Sequence, residues 1–285
     1  MNEPNIVILA GGLSSRMKQS IQGKSELDPN LAKAALEQPK AMLGVGEGSR
    51  PFLDYLLASV EKSGYSEVVI VVGEQDQSIK EYYTKHGNTQ FPFLNISYVT
   101  QCIPAGRIKP LGTADALLMA LQLKPEWRSL SFTVCNSDNL YSVNALRALL
   151  ECKHPNALID YDRTALQFPP ERIAHFAVIK KDTNAFLTDI IEKPTIAEIH
   201  QAADTSGRIG VSMNLFRLSY DMIFPVLEST PLHPVRNEKE LPVAVKMMNM
   251  LHPKSTLAIP FAEHVIDLTN QADIPVVSEY LKNLY

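Results

Sequence analysis

The stretch that most constrains this chain is its start. Ile6-Val7-Ile8-Leu9-Ala10 is a short apolar run, strand-sized, and Gly11-Gly12 succeed it without a break. The run reads as a buried strand. It passes directly into a tight turn, two hydroxyls (Ser14, Ser15) and a cation (Arg16). A buried strand that ends this way is how an α/β protein brings backbone N–H groups and positive charge to a phosphate. A plain tight turn is the competing reading, and the pattern alone does not separate the two.

Beyond this turn the chain alternates as a parallel sheet requires. Phe52, Tyr55, Leu56, Ser59 and Val60 recur at helical spacing, Gly64 supplies a stop, and Val68–Val72 is a second strand. With the first strand they make a β-loop-α-β unit. Helices are expected over 77–86, 113–123, 143–150, 219–228, 239–250 and 272–281, and strands over 94–100, 131–135, 157–160 and 256–260. From about residue 161 the pattern changes, and 172–180, 187–192 and 210–216 read as antiparallel strands added to one edge. The expected fold is α/β and Rossmann-like: a mixed, mostly parallel sheet with helices on both faces, in a single domain over residues 1–285. Residues 19–39 are mostly polar and longer than a usual βα connection, so they read as a functional loop or lid, with a short helix over 31–36.

Composition excludes several classes. The formal charge of the 285 residues is -4 and no block of like charges stands out, which argues against a nucleic-acid footprint or a polybasic membrane anchor. No apolar run approaches the roughly 18 residues of a membrane helix. The N-terminus enters a strand with no basic flank, so no signal peptide is expected. Cys102, Cys135 and Cys152 have no metal-ligand spacing, and a reduced, cytoplasmic setting is expected.

Four further features carry potential chemistry. Pro39-Lys40 ends the long loop, where the lysine is either solvated or reaches back to phosphates held by the Gly-Gly turn. Gln101 precedes Pro110-Leu111-Gly112-Thr113-Ala114-Asp115-Ala116. Thr113 is a reasonable helix N-cap, the small residues admit a flat ring, and Gln101 can read a nucleobase edge. Asn136-Ser137-Asp138-Asn139 ends a buried strand, where open α/β sheets bind ligands. Asp138 there is a fair Mg²⁺ ligand, or else part of a plain Asp-Asn turn. Ile190-Ile191-Glu192-Lys193-Pro194 ends another strand in an acid–base pair, which by itself reads as a surface salt bridge.

In this order the motifs resemble the sugar-1-phosphate nucleotidyltransferase (NDP-sugar pyrophosphorylase) family over roughly residues 5–270. Gly11-Gly12-Leu13-Ser14-Ser15-Arg16 matches its opening signature and Pro39-Lys40-Ala41-Met42-Leu43 its Pro-Lys-x-x-Leu. Gln101 with Gly112-Thr113-Ala114-Asp115-Ala116 matches its base-binding segment. Ser137-Asp138-Asn139 stands for Gly-Asp-Asn, and Glu192-Lys193-Pro194 for Glu-Lys-Pro. Its late acidic metal ligand is matched most closely by Asp267. The loop 19–39 departs by its length. No left-handed β-helix repeat comes after the nucleotidyltransferase pattern.

The resemblance implies a nucleotide-binding half over about 1–155 and a sugar-binding half over about 156–285. It implies that Leu9, Ala10, Gly11, Gly12, Ser14, Ser15, Gln101, Gly112 and Thr113 bind the nucleotide. Arg16 and Lys40 would serve the phosphate chemistry. Glu192, Lys193 and Asn214 would bind the sugar phosphate, and Asp138 and Asp267 would hold Mg²⁺. The partners expected are an NTP, UTP or dTTP first, and a sugar 1-phosphate, with no nucleic acid and no membrane; self-association is left open. Two segments, 107–110 and 231–240, are candidates to line the pocket. The main rival reading is a nucleotide-sugar sensor or regulatory subunit of the same fold; a second, a Rossmann dehydrogenase, is disfavoured because the opening turn lacks the third glycine of Gly-x-Gly-x-x-Gly.

Overall fold

The computed structural model of the chain describes residues 3–13, 17 and 29–284. All six residues of β1 (Asn5–Ala10) are buried, which explains its uninterrupted apolar run. Successive side chains of a strand point to opposite faces. Ile6, Ile8 and Ala10 therefore enter one core with the helices Phe52–Ser63 and Val143–Glu151. Val7 and Leu9 enter a second core with the helices Thr113–Leu123, Tyr220–Ser229 and Leu241–Leu251.

The remaining strands are β2 (Glu67–Gly73), β3 (Asn95–Gln101), β4 (Ser131–Asn136), β5 (Asn139–Leu140), β6 (Asn156–Asp162), β7 (Val178–Lys181), β8 (Leu187–Ile191), β9 (Gly210–Val211), β10 (Phe216–Ser219), β11 (Thr256–Phe261) and β12 (Ile266–Asp267). Ten of them form one mixed sheet in the order β3-β2-β1-β4-β10-β6-β9-β7-β8, with β11 paired to β6. β1 to β4 are parallel, β11 runs parallel to β6, and β10 lies antiparallel between β4 and β6. The chain steps from β1 outward to β2 and β3, then returns to β4 on the other side of β1. That reversal opens a crevice at the carboxyl ends of β1 and β4.

Some boundaries differ from the sequence reading. The expected strand over 172–180 is instead a short helical turn, Pro170–Ile173, followed by β7 alone. Pro169 and Pro170 preset the helical φ and cannot donate to a ladder. The strand expected over 210–216 is broken into β9 and the start of β10, with Asn214 between them at φ 56. Helix Ile196–Gln201 is an addition to the expected elements, although its signal is readable: Thr195 and Glu198 close a reciprocal capping box. The short helix expected over 31–36 is present as Pro29–Glu37. No described helix is long and apolar enough to cross a membrane.

Candidate active site at the crevice between β1 and β4

The crevice holds a cavity of about 520 Å³ whose wall includes Leu9 to Leu13, Lys40, Gln101, Lys109, Gly112, Thr113, Asp138 and Glu238. Each arrives for a local reason. The Ser137 N–H donates to Leu9 O at 3.1 Å, so the ends of β1 and β4 stay joined as the chain leaves the sheet. Lys40 opens the short 3-10 turn Lys40–Met42, pinned by buried Ala41 and Leu43. Its Nζ lies 2.6 Å from Asp138 Oδ2. Ser14, Ser15 and Arg16, the remainder of the expected phosphate turn, lie outside the described residues.

Gln101 ends β3 and is buried. Its Nε2 donates to Gly112 O at 2.9 Å and to Asp115 Oδ2 at 2.8 Å. The donor is therefore committed within the protein, while Oε1 faces Gly11, where an added Cβ would sit 3.1 Å from it. Of the Gln101 amide, the oxygen is the end that the contacts with Gly112 and Asp115 leave. Thr113 differs from expectation. Gly112 is the N-cap of helix Thr113–Leu123, and the Thr113 hydroxyl accepts from Leu241 N–H at 2.9 Å. It serves the start of the other helix, Leu241–Leu251.

The segments 107–110 and 231–240 interlock at the mouth of the cavity. Lys109 Nζ donates to Arg236 O and to Glu238 Oε1, both at 2.6 Å, and Arg107 Nη2 donates to Asn237 O at 2.5 Å. Lys239 N–H donates to Leu111 O at 2.5 Å and Ala114 N–H to Lys239 O at 3.0 Å. Gly112, at φ 106, is required at this join: a Cβ would stand 2.6 Å from Lys239 O. Ile108 to Pro110 and Glu238 do line the cavity.

Asp138 and Asp267 are brought together by β5 and β12, two strands too short to read from the sequence. Asp267 pairs with Asn139 across this ribbon, and Leu268 N–H donates to Asp138 O at 2.8 Å. Burial, and then the charge of Asp138, push the Asp267 carboxyl above its ordinary range. Like charges held this close fit a divalent cation, which needs only one or two carboxylates when phosphates complete its shell. Among the described residues no three His, Cys, Asp or Glu side chains gather into a cage.

Glu192, Lys193, Asn214 and Asp267 are not in the wall of this cavity. The β10–β4 ladder ends at the pair Phe216 and Val134, two residues short of Asn214, which lies in the bend that enters β10. Tyr141 ties this corner together by donating to Met213 O at 2.7 Å. β8 pairs Ile191 with Val178, β9 pairs Val211 with Val178, and Ser212 N–H donates to Ala177 O at 2.9 Å. Glu192 and Lys193 thus leave the sheet at the same end as the Ser212–Asn214 bend, with β7 between them. The surrounding protein, and then the charge of Glu240, push the Glu192 carboxyl upward. Lys193 and Asn214 both have left-handed backbones, at φ 47 and 56. Such strain clusters at functional sites.

A family model described as nucleotidyl transferase matches residues 31–216. The chain is similar to a glucose-1-phosphate adenylyltransferase of Koribacter versatilis, at 22% identity over 229 residues, covering 78% of this chain and 49% of that protein. It is similar to a bifunctional protein GlmU of Staphylococcus carnosus, at 22% over 85% of this chain and 44% of that one. A D-glycero-alpha-D-manno-heptose 1-phosphate guanylyltransferase of Campylobacter jejuni matches at 25% over 55% of this chain and 59% of that one. The chain spans about half the length of these curated relatives. In fold it is similar to a UDP-glucose pyrophosphorylase complexed with UDP-glucose, with a TM-score of 0.70 at 17% identity over the whole of both chains.

Proposed function

Because the chain belongs to the nucleotidyl transferase family, whose model matches most of it, we propose that it transfers a nucleotidyl group from an NTP to a sugar 1-phosphate. The observation that carries this reading is the convergence of the Gly11-Gly12 turn, Lys40 and Asp138 on one cavity at the crevice between β1 and β4. A phosphate oxygen of the sugar 1-phosphate attacks the α-phosphorus. The new P–O bond forms as the bond from the α-phosphorus to the bridging oxygen breaks, and pyrophosphate leaves with that electron pair. No general base is needed, since the attacking phosphate is already ionised at neutral pH. Catalysis is then mostly positioning and charge stabilisation.

In this reading the Gly11 and Gly12 backbone, with Ser14, Ser15 and Arg16, receives the β- and γ-phosphates. Lys40 turns from Asp138 to the α-phosphate. Glu192, Lys193 and Asn214 receive the sugar phosphate. Asp138 and Asp267 would hold Mg²⁺, which when bound neutralises and orients phosphate oxygens. The acceptor Oε1 of Gln101 is compatible with the N3–H of uracil or thymine, and UTP or dTTP is the proposed donor.

The test is a pyrophosphate-release assay of ATP, CTP, GTP, UTP and dTTP against a panel of sugar 1-phosphates with Mg²⁺. Turnover with UTP or dTTP and one sugar is expected. Silence across the panel with nucleotide binding retained would overturn the transfer reading in favour of a nucleotide-sugar sensor.

A further inference from the structure

The two acids of the site hold their charge differently. Asp138 meets Lys40 at 2.6 Å, and the lysine stands on a long, flexible stem. Asp267 is held on both oxygens: Oδ2 accepts from Arg172 Nη2 at 2.7 Å and Oδ1 from the Thr269 hydroxyl at 2.5 Å. Arg172 is in turn fixed from its other side. Its Nη1 donates to Asp273 Oδ1 at 2.5 Å and Nη2 also reaches Asp273 Oδ2 at 3.3 Å. That Asp273 Oδ2 is itself anchored by the backbone N–H groups of Thr269 and Asn270, at 2.8 and 2.7 Å. The guanidinium lies over the Phe168 ring, 4.6 Å from its centroid. A fork anchored at one end by Asp273 and packed on a ring is preorganised, so Asp267 is the partner being steered.

We propose that Arg172 is a positioning residue: a built-in cation that aims Asp267 and keeps it from capturing a divalent metal before the nucleotide arrives. This rests on the nucleotidyl-transfer reading. Each acid is matched by a cation of the chain, Lys40 on Asp138 and Arg172 on Asp267. Lys40 can swing away on its stem, whereas Arg172 is clamped by Asp273 as well. The triphosphate brings negative charge and draws Lys40 to itself, which frees Asp138 at the moment a metal is needed. Without Arg172, Asp267 and Asp273 would both lose their cation, and Asp267 would draw a divalent ion without waiting for substrate.

The experiment measures Mn²⁺ binding to the full-length protein by water-proton relaxation enhancement, with and without an α,β-methylene NTP. The wild type is expected to bind Mn²⁺ weakly alone and at least about tenfold more tightly with the analogue. R172Q is expected to bind Mn²⁺ alone at least about tenfold more tightly than the wild type and to lose the dependence on nucleotide. R172K, which keeps the charge but not the fork, is expected to bind Mn²⁺ alone less tightly than R172Q does. A folded R172Q indistinguishable from wild type overturns the proposal. So does a wild type that binds Mn²⁺ equally well with and without the analogue, an arm that decides the matter even if R172Q does not fold. If the pyrophosphate assay is silent, the transfer reading fails by itself, while the nucleotide-free Mn²⁺ comparison still reports on Arg172.

Discussion

Lys40 and Asp138 touch each other and face the same cavity. Lys40→Ala and Asp138→Ala are each expected to lower kcat by at least about a hundredfold, the scale seen when an electrostatic group of the transition state is lost. Circular dichroism of each variant should match the wild type, since both side chains sit at the rim of the core. At this scale the motifs led to residues that line the crevice: Gln101 and Asp138 at or just past strand ends, and Lys40 from a 3-10 turn. They were a poor guide to what each atom does. Nothing in the spacing of Gln101 shows that its amide N–H₂ is spent on Gly112 and Asp115, or that the Thr113 hydroxyl serves the helix beginning at Leu241. Arg172 carries no signal in the sequence because its two acids lie about a hundred residues away and only the folded chain brings them near.

Among the elements, the join between the segments 107–113 and 236–241 decides the shape of the cavity mouth. Gly112→Ala would put a methyl group 2.6 Å from Lys239 O at a φ that L residues rarely adopt. We expect a loss of more than about 2 kcal/mol in stability by urea unfolding, with a raised KM for the nucleotide, because the same displacement moves Glu238 and the Gln101 contact. If the variant unfolds like the wild type, the packing described for this turn is wrong. The long helices and the parallel strands were legible because periodicity over ten or more residues, or a fully apolar run, leaves few alternatives. The ribbon of β5 and β12 was not. Two-residue strands carry no period, and their pairing is fixed by what packs around them rather than by their own composition.

Across the molecule, pH acts through groups whose environment differs from water. His264 accepts from Gln167 N–H at 3.2 Å beside the Phe168 ring, and burial, with the Arg172 charge second, lowers its pKa to about 4. In the unfolded chain it titrates near 6.5. As pH falls between those two values the unfolded state takes up the proton first, so this residue's contribution to stability declines from about 6.5 down to about 4 and then levels off. The raised carboxyls Asp54, Glu192 and Glu263 act in the opposite sense. The informative measurement is therefore a difference: urea midpoints at pH 7, 5.5 and 4 for wild type and His264→Gln. The variant should lose less between pH 7 and 4 than the wild type, and equal losses would remove His264 from the account.

The place of β10 has a consequence for how the chain comes into being. Its partners β4 and β6 are complete by residue 162, yet the strand that fills the gap between them ends at Ser219. On a ribosome, the first half of the protein therefore emerges with two strand edges facing an empty lane in the middle of its sheet. Open edges of that kind pair readily with other chains. A gene cut near residue 155 would leave β4 with that edge permanently bare. Translation must run well past the midpoint of the chain before the centre of this sheet exists.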